Sequence, residues 1–412
     1  MIPFWREKKI QMDKPFMNTK FFKPVFAVLT VACLMGCQYN VIKVPDSPYP
    51  ISADSFSVET LAEGFTIPYG IAIVNENEYF ISDRIGKMFH LKEGTLNEIK
   101  GIPEVVTFNN SGIPAILHGG LMDISLHPNY AANSWIYITY LATDGFVKVS
   151  RLKILNNEAT QFETIFTSRY QNYTGNGMRI VWEDDRHFFL NIGNSDLSTR
   201  TNPVMHAQDL HHDAGKIHRL MEDGGTPSDN PIFAGFTAPT TIWSYGHRDV
   251  QGLYFEASTH TLLGAEHGPK GGDEFNCIEK GKNYGWPIFS YGINYDGAPV
   301  STISEDSAAT FTMFPEHYWT VPTQDGGQAI GPACLLKVNQ STISSWNGHF
   351  LLGSLAYRRL MLYNRDTGET KGLDITGRVR TIKQLPGGDL IALVERTDLR
   401  KTNGKIIRIS GH

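Results

Sequence analysis

Charge is sparse in this chain, and neither sign dominates. Only 19% of residues are Asp, Glu, Lys or Arg, and the formal net charge is −5. Without a basic stripe, counterion release from a phosphate backbone has nothing to drive it, so nucleic acid is excluded as an expected partner. Cysteine is scarcer still. Of the four, Cys33 and Cys37 stand near the N-terminus, leaving Cys277 and Cys334 for the body of the chain. Two distant cysteines define no disulfide framework; a pair formed in an oxidising compartment and two independent buried thiols are both open. Long apolar runs are missing as well. The one pronounced run, Val25 to Met35, has about 11 residues where about 20 are needed for a membrane-spanning helix. No stretch keeps the period of an amphipathic helix, which argues against a helical bundle.

The flanks of that run give it a reading. Lys20 and Lys23 precede it and Leu34-Met35-Gly36-Cys37 closes it, the order of an export signal ending in a lipobox. Cleavage before Cys37 and acylation of its thiol are expected to anchor the mature protein to a membrane, exported to the periplasmic face or cell envelope. The stretch before Met17 is long for such a signal, and Met17 is an alternative start. The expected organisation is 1–37 as leader, 38–50 as linker and 51–412 as one folded domain.

What the chain has in plenty is turn formers and aromatics: 39 Gly, 21 Pro and 11% Phe, Trp and Tyr. That is the composition of short strands joined by tight turns. One local pattern recurs, a short apolar strand, a polar break, then Gly-Lys and alternating apolar residues. Tyr79-Phe80-Ile81-Ser82-Asp83 leads to Gly86-Lys87-Met88-Phe89; Phe188-Phe189-Leu190-Asn191-Ile192 leads to Gly215-Lys216-Ile217-His218-Arg219-Leu220; Leu390-Ile391-Ala392-Leu393-Val394 leads to Gly404-Lys405-Ile406-Ile407-Arg408-Ile409. The intervals between the Gly-Lys pairs are close to two and three times a step of about 64 residues, which implies a regular unit and gives five to six units over about 360 mature residues. Antiparallel sheets with no helices to cover them bury their faces on one another, and a closed ring does so while protecting edges. The predicted fold is all-β, a six-bladed propeller of four-stranded antiparallel sheets, with one blade completed from both chain ends. A pair of β-sandwich domains would leave the common step unexplained.

The densest group of motifs comprises Trp243-Ser244-Tyr245-Gly246-His247-Arg248-Asp249-Val250-Gln251-Gly252-Leu253, Glu266-His267-Gly268-Pro269-Lys270-Gly271-Gly272-Asp273-Glu274 and Gly281-Lys282-Asn283-Tyr284-Gly285-Trp286-Pro287. The Gly-Pro-Lys-Gly-Gly stretch cannot be a strand interior. As a loop, its free carbonyls together with Asp273 and Glu274 offer the oxygen ligands Ca²⁺ prefers, although an acidic turn has the same composition.

Together with Gly119-Gly120-Leu121-Met122-Asp123-Ile124-Ser125-Leu126-His127-Pro128, these segments resemble the pyrroloquinoline quinone (PQQ)-dependent soluble aldose sugar dehydrogenases, the glucose/sorbosone dehydrogenase family, over nearly the whole mature chain. The resemblance implies a six-bladed propeller with PQQ over the central channel, Ca²⁺, and hydride transfer from a sugar C1 to the quinone, with an external electron acceptor. By the same resemblance Arg248 lies at the quinone oxygens, Arg378 and Arg380 face the cofactor, and His267, Asp249 and Tyr295 are further cofactor positions. Guanidinium groups suit a planar tricarboxylate because they pair carboxylates bidentately. Glu274 and the Tyr284 carbonyl fall on the family's calcium position, and the carbonyls of Gly268 and Pro269 on another.

Four positions depart from the family pattern. Relatives carry His-aromatic-Gly-Gly-Arg where this chain reads Gly175-Asn176-Gly177-Met178-Arg179, so the catalytic base aligns with Gly175. His118 replaces a Gln, Asp249 an Asn, and Ala356 a Lys. A relocated base at His118 suits the chemistry, since imidazole titrates near neutrality. The other reading is a propeller that has lost redox chemistry and binds a carbohydrate or a protein partner.

The anchor carries its own test. Cys37→Ser is expected to move the protein from the membrane to the soluble fraction and to abolish metabolic lipid labelling; a wild-type protein already soluble and unlabelled would contradict the lipobox reading.

Overall fold

The computed structural model describes residues 47–107, 119–172, 177–194, 205–301, 303–320, 329–395 and 403–412. Six four-stranded antiparallel sheets form a ring, a six-bladed β-propeller. Blade 1 consists of Pro68–Asn75, Glu78–Asp83, Lys87–Lys92 and Thr95–Ile99. Blade 2 follows with Leu121–Leu126, Ile136–Leu141, Phe146–Leu155 and Glu158–Gln171. Blade 3 has Gly177–Trp182, His187–Ile192, Lys216–Met221 and Ile242–Tyr245. Blade 4 has Val250–Glu256, Thr261–Glu266, Asp273–Ile278 and His317–Trp319, and blade 5 Leu336–Lys337, Phe350–Ser354, Arg359–Tyr363 and Thr370–Thr376. Blade 6 takes Arg378–Gln384, Leu390–Glu395 and Gly404–Ser410 from the C-terminus, and Ser57–Phe65 from the N-terminus. The register of that last pairing runs from Ser57↔Ser410 to Phe65↔Gly404, so the chain ends are zipped together and the ring has no open seam.

The Gly-Lys repeats occupy equivalent places: each opens the third strand of its blade, in blades 1, 3 and 6. Lys87 pairs with Asp83, Lys216 with Ile192 and Lys405 with Val394, always near the end of the second strand. The step between blades is nevertheless unequal. Third strands begin at Lys87, Phe146, Lys216, Asp273, Arg359 and Gly404, so the common spacing is an average over connections of different length.

Why both faces of a strand are apolar follows from the ring. Among the described residues the hydrophobic clusters lie between neighbouring blades: Phe80 and Met88 with Leu121 and Ile124, Tyr137 and Val147 with Met178 and Phe188, Leu351 and Leu360 with Val379 and Leu390. Space is tight on the inner strands. A Cβ on Gly70 would lie 2.7 Å from Asp123 Oδ1, and one on Gly252 2.6 Å from the Cys334 carbonyl carbon. Cys277 and Cys334 are separate free thiols, Cys334 buried.

At the axis a single side chain touches four other blades and the link bonded to the fifth. Arg179, 5% exposed on the first strand of blade 3, donates from Nε to Gln251 O of blade 4 at 3.0 Å. Its Nη1 reaches Tyr69 O of blade 1 (3.1 Å), Asp123 Oδ1 of blade 2 (3.3 Å) and Thr381 Oγ1 of blade 6 (2.9 Å). Its Nη2 reaches Arg380 O of blade 6 (2.6 Å) and Ala333 O (2.9 Å), and Ala333 is hydrogen-bonded to Gly353 of blade 5. Asp123 in turn accepts from Ile180 N through its other oxygen. Arg179→Met would strand these acceptors and the Asp123 carboxylate. Its unfolding free energy in urea is expected to fall by about 3–5 kcal/mol, the cost of breaking a buried pair by removing one partner; a fall below about 1 kcal/mol would show that the blades do not depend on it.

Candidate functional site

Antiparallel order places two sets of connections on the same face of the ring: the turns from second to third strand within a blade, and the links from fourth strand to the next blade's first. The sequence-predicted residues fall largely in these connections. Arg248 and Asp249 lie in the link into blade 4, and His267, Gly268 and Pro269 in that blade's second turn. Glu274 opens the strand after it, and Arg378 and Arg380 open blade 6. Tyr284 and Tyr295 arrive differently. They belong to the long segment between the third and fourth strands of blade 4, which climbs beside blade 3 through Tyr284 N to Tyr245 O (2.8 Å) and Trp286 N to Gly246 O (2.9 Å). It then docks on the Gly-Pro loop through reciprocal bonds between Lys270 and Ile293.

One side of this face is acidic. A small cavity is lined by Arg248, Glu266, His267, Gly268, Glu274, Tyr284 and Trp286, among others. Glu266 shapes its wall by accepting from the backbone N–H groups of Arg248 and Asp249 (3.1 Å for the latter) and holding His247 Nδ1 at 3.1 Å. Glu274 is pushed up to about 8, by burial first and then by Glu266 and Asp273, against one hydrogen bond from Asn276 at 3.0 Å. Burial likewise raises Asp273, although Gly268 N and Gly331 N donate to it at 3.0 and 2.7 Å. Among the described residues no cation forms an ion pair with Glu274.

The other side is basic. Arg378 Nε and Arg380 Nε both donate to Glu395 Oε2, at 3.0 and 2.7 Å. Burial alone would raise the Glu395 carboxyl, but Arg380 and Arg378 hold it down at about 2. Arg84, buried beside them with Nε on Gly119 O at 3.0 Å, is pushed down to about 10 by burial and by Arg380. Arg248 lies over the Trp286 ring at 5.3 Å and donates from Nη1 to His267 O at 3.0 Å. Burial depresses His267 as well. Its Nε2 lies 2.8 Å from Pro332 O, which can only accept, so Nε2 carries the proton and Nδ1, 3.7 Å from Asp249 Oδ2, is an acceptor. Asp249 accepts from Gln251 Nε2 at 2.7 Å.

The face therefore brings Arg248, Asp249, His267, Gly268 and Glu274 together and sets Arg378 and Arg380 on a second blade. Tyr295 is 50% exposed, well outside the buried group. His118 and Gly175 lie outside the described residues. Ala356 leaves no ammonium, and its neighbour Leu355 instead offers its carbonyl to Arg378 Nη1 at 3.2 Å. Sequence reasoning missed Arg84, Glu266, Trp286 and Glu395. Glu266 opens a quoted motif and Arg84 adjoins another, while nothing in the order of residues links Glu395 to Arg378.

Two observations test whether a planar tricarboxylate and a hard cation suit this set. Arg248 Nε and Trp286 Nε1 are buried without a hydrogen-bond partner, and both residues line the same cavity; orphaned donors of this kind call for an acceptor. Arg84, Arg378 and Arg380 against Glu395 leave positive charge for carboxylates, while the half-buried Glu274 lacks the cation that would let it ionise. The donor set fits both groups.

A family model described as Glucose / Sorbosone dehydrogenase matches residues 65–408. The aldose sugar dehydrogenase YliI of Escherichia coli is 30% identical over 370 residues, covering 86% of this chain and 92% of that protein. An uncharacterised protein of Synechocystis is 31% identical over 365 residues, 84% of each chain. Among solved structures, the apo form of the soluble aldose sugar dehydrogenase from Escherichia coli has a TM-score of 0.72 at 27% identity, covering 87% of this chain and 100% of that one.

The isolated Glu274 carboxyl makes stability depend on pH. An unfolded glutamate ionises near 4.5 and the folded one near 8, so metal-free protein is expected to be most stable at low pH within this window and to lose stability as pH rises from about 4.5 to about 8. Glu274→Gln should flatten that loss in thermal unfolding with EDTA present. An unchanged pH slope would show that the carboxylate is already compensated.

Proposed function

The chain belongs to the Glucose / Sorbosone dehydrogenase family, and we propose that it catalyses the PQQ-dependent oxidation of an aldose sugar at C1, with Ca²⁺ beside the cofactor. The reading rests on one observation above all: orphaned donors on Arg248 and Trp286 share a cavity with the uncompensated Glu274 carboxyl. When bound, PQQ supplies the acceptor for the two electrons of the sugar's C1 hydride. Arg248, Arg378 and Arg380 hold its carboxylate and quinone oxygens, and Trp286 adds an indole donor. Glu274, with carbonyls of the Gly268-Pro269 loop and Tyr284, holds Ca²⁺, a hard cation for which carboxylate and carbonyl oxygens are the preferred ligands. His267 lines the pocket with Asp249 beside it, and burial keeps the imidazole neutral.

Loss of the C1 hydride requires that the anomeric hydroxyl give up its proton to a base. We assign that role to His118, since position 175 is a glycine and a positioned base contributes about 10²- to 10⁴-fold in rate. The enzyme is proposed to be exported and lipid-anchored through Cys37, passing its electrons to an external acceptor. Ala356 favours a second reading, a propeller that binds a sugar or protein without redox chemistry, because the missing ammonium weakens the hold on a trianion.

Titration with PQQ in the presence of Ca²⁺, followed by dye-linked oxidation of a panel of aldoses, separates the two. Quinone absorbance should transfer to the protein, and Ca²⁺ should raise the melting temperature of wild type but not of Glu274→Ala. His118→Gln is expected to keep PQQ binding and lose about 10²- to 10⁴-fold in turnover. Full activity in His118→Gln would remove the assigned base; absence of both PQQ binding and oxidation in wild type would support the redox-inactive reading.

A further inference from the structure

On the face opposite the arginine cluster, two hairpins from neighbouring blades converge. The turn between the first two strands of blade 3 carries Glu183, Asp184 and His187, each presenting one ligand atom within 4.8 Å of the others. The corresponding turn of blade 4 carries His260, whose Nε2 lies 3.0 Å from Glu183 Oε1. His187 Nδ1 lies 2.9 Å from Asp184 Oδ2. Glu183 is held from behind: its other oxygen, Oε2, accepts from Arg219 Nε at 2.6 Å, and Arg219 is itself tied to Asp229 and Asn230 at 2.8 and 3.1 Å. Arg219 thus fixes one carboxylate oxygen and leaves Oε1 turned toward the imidazole from the next blade.

We propose that Glu183, Asp184 and His187, whose ligand atoms lie within 4.8 Å of one another, form a site for a divalent transition metal of the Zn²⁺ class, with His260, 3.0 Å from Glu183 Oε1 but outside that group, turning inward from its exposed position as the fourth ligand. Two imidazole nitrogens and two carboxylate oxygens are a set that Zn²⁺, Co²⁺ or Ni²⁺ accepts and that Ca²⁺, which wants six to eight oxygens, does not. With Zn–N and Zn–O bonds of about 2.0–2.2 Å, tetrahedral ligands sit about 3.3–3.5 Å apart. The two nitrogen–oxygen pairs, at 2.9 and 3.0 Å, are therefore slightly closer than a shared ion requires, and a neutral imidazole that exchanges its carboxylate contact for the ion carries its hydrogen on the other ring nitrogen. A carboxylate bonded on its free oxygen by a fixed donor is the arrangement that orients metal ligands. Burial grades outward, with side-chain exposures of 5% for Glu183, 17% for His187, 49% for Asp184 and 75% for His260, so the site opens to solvent on the His260 side. An ion here would staple blades 3 and 4 across a face that the sugar chemistry does not use.

Full-length protein stripped with EDTA and resupplied with excess Ca²⁺, to fill oxygen-only sites, is titrated with ZnCl2 by calorimetry and with CoCl2 by visible absorption. One equivalent of Zn²⁺ should bind and raise the melting temperature, and Co²⁺ should give the intense band of a tetrahedral nitrogen–oxygen site. His260→Asn, at an exposed turn position whose φ of 52° asparagine tolerates, and His187→Asn should each weaken Zn²⁺ binding at least about 10-fold, as loss of even an outer partner of a metal ligand does. Zn²⁺ affinity unchanged in both variants, or no calorimetric binding to wild type, would overturn the site and leave two ordinary imidazole–carboxylate pairs.

Discussion

The Arg179 guanidinium is the constraint on which the arrangement of the other parts depends. A propeller has no continuous sheet crossing its centre, so each blade is otherwise held only by its two neighbours. Arg179 replaces that missing connection with hydrogen bonds to backbone carbonyls or side chains on four other blades and to Ala333 O in the link that is bonded to the fifth. Burying a guanidinium is costly, and here its donors meet oxygen atoms and its charge faces Asp123 and the Tyr69 ring at 4.0 Å, which offsets the loss of water. The zipped sixth blade closes the ring from outside; Arg179 fixes it from within. Gly70 and Gly252 belong to the same constraint, since a side chain on either would push an inner strand away from its neighbour.

With the inner strands fixed, the connections above them become a rigid face on which charge is partitioned. Arg380 is part of both levels: its carbonyl accepts from Arg179 while its guanidinium pairs with Glu395. Glu395 in turn keeps Arg378 and Arg380 side by side despite their mutual repulsion. Across the face, Glu266 spends Oε1 on the backbone N–H groups of the Arg248 turn and Oε2 on His247, whereas Glu274 has the Asn276 amide as its side-chain donor and is pushed up to about 8. Basic and acidic halves thus arise from which carboxylates are already satisfied by the protein, and the proposed Ca²⁺ would sit at the unsatisfied one.

Much of the fold was legible from the chain because propeller geometry repeats. The Gly-Lys pairs mark the start of third strands, since each follows a strand that ends near the same face, and apolar runs such as Phe188–Ile192 reflect packing between blades on both sides. The repeat could not show how unequal the connections are, because loop length is free where the link is exposed. For the site, family-like motifs located Arg248, His267 and Glu274, which the structure groups together. Trp286 was quoted only as part of a motif, since a tryptophan reads as core until its indole N–H is seen without a partner. Glu395 meets Arg378 and Arg380 across a strand pairing whose register no local pattern specifies. The cluster of Glu183, Asp184, His187 and His260 joins two hairpins of different blades, so no spacing announces it.

The most direct test of the account is a crystal structure of the protein soaked with PQQ and CaCl2. The account predicts density for the planar cofactor between Arg248 on one blade and Arg378 and Arg380 on another, with acceptors now on Arg248 Nε and Trp286 Nε1 and a calcium ion bound to Glu274. A cofactor bound elsewhere, or an arginine face that stays free at saturating PQQ, would contradict it.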